Sequence, residues 1–137
     1  LKFLSPLDTR KIGAQRWLLL DDLVFKSDYL KGILIAPRGF QTDLASIPRI
    51  FWAIAPKEDI YDPAAVIHDA AYGHALVTNE GNRIELIKPL ADKMFLEAML
   101  CCGVSSWRAH IMYQAVSIFG NPSTHPLVEN TVNDSIS

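Results

Sequence analysis

A histidine and an aspartate stand side by side at positions 68 and 69, in the run Pro63-Ala-Ala-Val-Ile-His-Asp-Ala-Ala-Tyr-Gly-His74, whose other members are mostly Ala, Val and Ile. So apolar a segment is headed for an interior. An imidazole and a carboxylate carried there are costly unless each finds a hydrogen bond, an ion or a chemical task. Asp62-Pro63 is a helix start, an N-cap acid followed by proline at the first helical position, and Gly73 is a stop. The spacing predicts a helix from Pro63 to about Tyr72. His68 and Tyr72 then share a face. Asp69 lies about a hundred degrees round the axis, so both polar groups can border one cleft without pointing the same way.

The remaining elements are arranged around that helix. Residues 17–26 and 32–37, rich in large apolar side chains and bounded by Asp, Gly and Pro, read as an antiparallel pair of strands, the second continuing through Gly39-Phe40. Residues 77–87 are polar and read as a loop or hairpin tip. Pro89 opens a second helix with Leu90, Met94, Phe95 and Ala98 as its apolar stripe, and Gly103 ends it. Ser105 or Ser106 caps a third helix through Phe119, with Trp107, Ile111, Ala115 and Ile118 as its packing face. The expected architecture is α+β, a small antiparallel N-terminal β-layer packed on a three-helix core. Residues 1–120 form a single domain and 121–137 a polar tail.

Bulk properties narrow the function classes. With 137 residues, half of them apolar and a net charge of -2, the chain can bury one real core and makes no electrostatic case for nucleic acid or anionic membrane. No apolar stretch approaches the roughly 20 residues of a membrane span, and the first eight residues lack the apolar core of a signal peptide. The two cysteines, Cys101 and Cys102, are adjacent, which suits small buried residues in a reducing compartment rather than a disulfide framework.

Chemistry centres on His68. If the second helix packs antiparallel on the first, Asp92 near its beginning faces the end of the first helix. A neutral imidazole oriented by a carboxylate is a general base. In the alternative, His68, Asp69 and Asp92, with His74 or Asp43, ligate a divalent metal ion. The rival to both is a hydrogen-bonded His-Asp-Tyr core network that fixes helix packing. Gly39-Phe-Gln-Thr-Asp43-Leu-Ala-Ser46-Ile-Pro48 reads as a rigid turn presenting Asp43 beside the helix; Ser46 lacks a nucleophile-elbow context. Phe51 and Trp52 are core residues or a hydrophobic lip. His110 and His125 read as surface or packing histidines.

Taken in order, Gly39-Phe-x-Thr-Asp-x-Ala-Ser-x-Pro48, His68-Asp-x-x-Tyr72, Ala91-Asp-x-x-Phe95-x-x-x-Met99 and Ala115-Val-x-x-Phe-Gly120 resemble a small bacteriophage-associated family of unknown function, over roughly residues 20–120. That resemblance implies phage origin and no particular reaction. The two helices alone are similar to the catalytic helices of secretory phospholipases. By that analogy His68 is the base, Asp69 a calcium ligand, and Asp92 and Tyr72 support the imidazole; the glycine-rich calcium loop and the disulfides of that site are lacking here.

The first expectation is a virion protein, tail or baseplate associated, made in the host cytoplasm and working through contacts with other virion proteins in an oligomeric assembly. The second is a small hydrolase acting on peptidoglycan peptides or lipid esters, with His68, Asp92 and Tyr72 as its catalytic group and Asp69 and Asp43 as metal ligands. The third is an inactive descendant kept as a scaffold.

Overall fold

A computed structural model describes residues 2–14, 16–42 and 62–120. Asp43, Ser46, Phe51, Trp52, His125 and the expected tail over 121–137 lie outside the described residues. Within them, six short strands precede three helices: β1 Lys2–Phe3, β2 Thr9–Gly13, β3 Arg16–Leu19, β4 Leu23–Ser27, β5 Gly32–Ala36, β6 Gln41–Thr42, α1 Asp62–Tyr72, α2 Lys88–Cys101 and α3 Ser106–Phe119. The α+β architecture is the expected one, with the strands in two antiparallel three-stranded sheets, ordered β1-β4-β5 and β2-β3-β6.

The strand expected over 17–26 is in fact two, belonging to different sheets. Asp21 and Asp22 divide it: the Asp21 carboxylate accepts from the Asp22 amide (2.9 Å), and that of Asp22 accepts from the Arg38 amide (2.8 Å). Short acidic side chains that capture backbone amides compete with the ladder and turn the chain. The strand expected over 32–37 likewise ends at Ala36, and Gly39 takes the left-handed region (φ 90°) that re-aims the chain into β6.

All three helices stand where expected, α1 and α2 on boundary residues with a physical reason; Ser105 precedes α3 as expected but its side chain makes no capping hydrogen bond. Pro sits in the first turn of α1 and of α2, and Gly103 (φ 91°) closes α2 in the left-handed region. The packing face of α3 differs from expectation. Ala109, Met112, Ala115 and Val116 are buried, while Trp107 and Ile118 are 56% and 70% exposed. Small residues let α3 approach α2 closely, and Trp107 at that seam would hold the helices apart.

The core lies where α1 crosses the β4–β5 hairpin. Phe25, Leu34, Ile67, Met94, Phe95 and Met112 meet there, and α1 is buried from Ala64 to His68 and again at Ala70 and Ala71. Two ties set the position of α2. Glu97 accepts from the Ser27 hydroxyl (2.6 Å) and from the amides of Asp28 (2.8 Å) and Tyr29 (3.1 Å), capping the β4–β5 turn. After α1, Val77 returns to the sheet and exchanges backbone hydrogen bonds with Ile35 (2.9 and 3.0 Å). The expected hairpin tip closes there, with Val77 bridged to Arg83.

Candidate functional site

The helices α1 and α2 run antiparallel, with the end of one beside the start of the other. His68 and Tyr72 in the last turns of α1 meet Asp92 in the second turn of α2, while the Cys102 thiol beyond the end of α2 reaches the Ala64 backbone. His68 Nε2 lies 2.9 Å from Asp92 Oδ1, and the Tyr72 hydroxyl donates to the same oxygen. The other oxygen, Oδ2, accepts from Lys88 Nζ at 2.7 Å. The His68 ring is sandwiched: it stacks on Phe95 (centroids 4.4 Å, planes 20° apart) and tilts against Tyr72 (4.1 Å, 49°). His68 and Asp92 are 3% and 1% exposed, which removes most competition from water for these bonds.

Protonation states follow from that geometry. Burial alone would raise the Asp92 carboxyl, but the hydrogen bonds from His68, Lys88 and Tyr72 outweigh it and hold the group below its usual range. Asp92 is therefore an anion that only accepts, so His68 Nε2 carries the ring proton and Nδ1 the lone pair. Burial drives the His68 imidazole below its ordinary value of 6.5; Asp92 opposes this and the Lys88 charge adds to it. The ring is neutral at neutral pH. Burial, and then the Asp92 hydrogen bond and charge, push the Tyr72 phenol far up, so it stays a donor.

Of the residues expected at the site, the structure brings His68, Asp92 and Tyr72 together. Asp69 points elsewhere, as the helical angle requires: its Oδ2 accepts from the Thr42 hydroxyl of β6 at 2.5 Å. Asp69, Thr42, Gln41, Arg16, Phe40 and Gly73 line a cleft of about 630 Å³. His68, the neighbour of Asp69 in the chain, does not itself line the cleft. Among the described residues no three His, Cys, Asp or Glu side chains gather as a metal site, and Asp43, the other expected ligand, lies outside them. His110 is a surface residue, with Nδ1 2.8 Å from the Ser106 carbonyl oxygen of its own helix.

Sequence reasoning missed Lys88, Phe95 as a ring partner, and Thr42. For Lys88 a signal existed: a cation opening a helix opposes the helix dipole, and it stands four residues before Asp92, on the same face. Thr42 gave none, because nothing local connects it to a residue 27 positions away.

A family of proteins of unknown function, DUF1353, matches residues 17–116, from β3 through most of α3. The chain belongs to this family. Thr42, His68, Asp69, Tyr72, Lys88 and Asp92 of this DUF1353 chain all lie inside the matched stretch. The chain is also similar to the uncharacterized protein y4jT of Sinorhizobium fredii (strain NBRC 101917 / NGR234), 35% identical over 86 residues. That match takes in 61% of this chain and 23% of y4jT, so the chain spans under a quarter of the relative's length. No solved structure matches. No helix among the described residues is long and apolar enough to cross a membrane. Neither cysteine of the DUF1353 chain is in a disulfide, and burial raises the Cys102 thiol to about 11, leaving it a poor nucleophile.

Acid stability of the DUF1353 fold should report the dyad. His68 binds its proton less readily folded than unfolded, so between its folded midpoint and 6.5 the unfolded chain holds more protons and stability rises with pH. Its contribution is complete above 6.5 and is lost as pH falls through the folded midpoint. Melting temperature should be flat at neutral pH and fall on mild acidification. His68→Gln should remove that step; an unchanged step would assign it to another group.

Proposed function

We propose that this chain is a small hydrolase module in which the His68–Asp92 pair activates water. The observation that carries this reading is the Nε2 contact to Asp92: it fixes the tautomer of an imidazole that burial keeps neutral, and leaves Nδ1 able to take a proton. Asp92 then stabilises the imidazolium as it forms. Tyr72 and Lys88, both donating to Asp92, keep that carboxylate ionised. Peptide bonds of peptidoglycan and lipid esters are the candidate substrates, entering by the cleft beside Asp69. An ionised Asp on a buried helix pair is otherwise an expensive way to hold helices together, since apolar residues of similar volume do that at least as well.

The test is turnover of peptidoglycan fragments and of lipid esters by the purified chain and by His68→Gln. General-base loss lowers the rate about 10²–10⁴-fold, and the circular dichroism spectrum should stay that of a folded chain. A wild type inert on both substrate classes, with His68→Gln only less stable, would instead make the cluster a packing network.

The ordered motif blocks, similar to a phage-associated family, favour a second and compatible reading: the module is carried in a virion, at the tail or baseplate. Mass spectrometry of purified particles decides it, and absence of the chain there removes it.

A further inference from the structure

We infer that Lys88 is a positioning residue of this site: its ammonium sets the Asp92 carboxylate toward His68 and fastens it to the last turn of α3. The inference rests on the reading of His68–Asp92 as the working pair. An ammonium has three N–H donors. Those of Lys88 meet Asp92 Oδ2 at 2.7 Å, the Val116 carbonyl oxygen at 2.7 Å and the Ser117 carbonyl oxygen at 3.0 Å.

The position of this lysine makes sense only through α3. As the first residue of α2 it faces the positive end of its own helix dipole. At the end of α3 it meets carbonyls of the final turn, that of Val116 (which also accepts from the Gly120 amide at 2.8 Å) and that of Ser117, together with the negative end of that dipole. Its cation also lies 5.9 Å from the centroid of the Tyr72 ring. The chain leaves α3 tightly against the same tyrosine: a Cβ on Gly120 would lie 2.6 Å from the Tyr72 hydroxyl and 2.5 Å from the Val116 carbonyl oxygen.

The consequence for Asp92 is rotational. Oδ1 serves His68 and Tyr72 on one side, and Lys88 holds Oδ2 on the other. Without Lys88 the carboxylate can turn about its Cβ–Cγ bond, and the tautomer of His68 loses its fixed reference.

The experiment is nitrogen NMR of the whole chain with ¹⁵N-labelled histidine, comparing wild type with Lys88→Met and Lys88→Arg. Wild type should show one His68 tautomer, protonated at Nε2. Lys88→Met should show a mixture, with amide exchange of Ile118, Phe119 and Gly120 faster by at least about tenfold; Lys88→Arg should restore the single tautomer. If Lys88→Met speeds that exchange but leaves the tautomer single, Lys88 only caps α3 and the inference falls. Should Lys88→Met not fold, the wild type answers: with ¹⁵N-labelled lysine, the Lys88 ammonium should exchange far more slowly than that of the exposed Lys93. Equal rates overturn the inference. None of these readouts needs a substrate, so failure to find turnover would defeat the hydrolase reading and leave this one measurable.

Discussion

Asp92→Ala should destabilise the protein by about 3–5 kcal/mol, the usual consequence of removing one partner from a buried ionic cluster. Three donors converge on this carboxylate: His68 Nε2, the Tyr72 hydroxyl and Lys88 Nζ. Truncation leaves all three facing a hole. The His68 Nε2 proton, on a side chain 3% exposed, loses its acceptor, and the Lys88 charge, still partly solvated, loses its anion. Asp92→Asn should cost clearly less, since the amide oxygen still accepts at Oδ1 and only the charge and the Oδ2 acceptor are lost. Urea unfolding with an unchanged m-value measures both. Equal losses for Ala and Asn would mean that the negative charge, rather than the filled space and the acceptor, holds the cluster.

Phe95→Ala should cost about 3–5 kcal/mol as well, by a different route. The Phe95 ring is fully buried in the core shared by the helices and the β4–β5 hairpin, so truncation opens a cavity rather than stranding a charge. It also removes the surface on which the imidazole stacks. Phe95→Leu refills most of the volume without the flat face. It should therefore keep most of the stability in urea unfolding while broadening the His68 ring resonances. If Phe95→Leu were as unstable as Phe95→Ala, the stacking and not the volume would dominate.

Much of this was readable before any coordinates. A proline in the first turn and a glycine stop are local chemistry, and α1 and α2 were placed to within a residue on such signals. The Asp92 partnership was readable conditionally: helical spacing put His68 and Tyr72 on one face, and antiparallel packing supplied the rest. Two kinds of information were out of reach. The Asp21-Asp22 break looks like a polar pair inside a strand until the amide of Arg38, 16 residues on, is seen to bind there. The buried face of α3 is made by Ala109, Met112, Ala115 and Val116, whereas periodicity weighs the bulkiest residues and so favoured Trp107 and Ile118. For Lys88 only the pairing with Asp92 was within local reach; its partners at Val116 and Ser117 are 28 and 29 residues away, and no local pattern encodes such a distance.

The bridge from Val77 to Ile35 bears on how these molecules meet one another. Open flanks of β-sheets are templates for unwanted pairing between chains. The flank of β5 is occupied by the chain's own hairpin, and β1 and β6 are two residues long. The remaining flank, β2, presents Arg10 and Lys11 and is kinked by a bulge between Lys11 and Gly13. No described strand offers a long, flat, uncharged border, so crowding many copies together should not seed fibrils from the described strands.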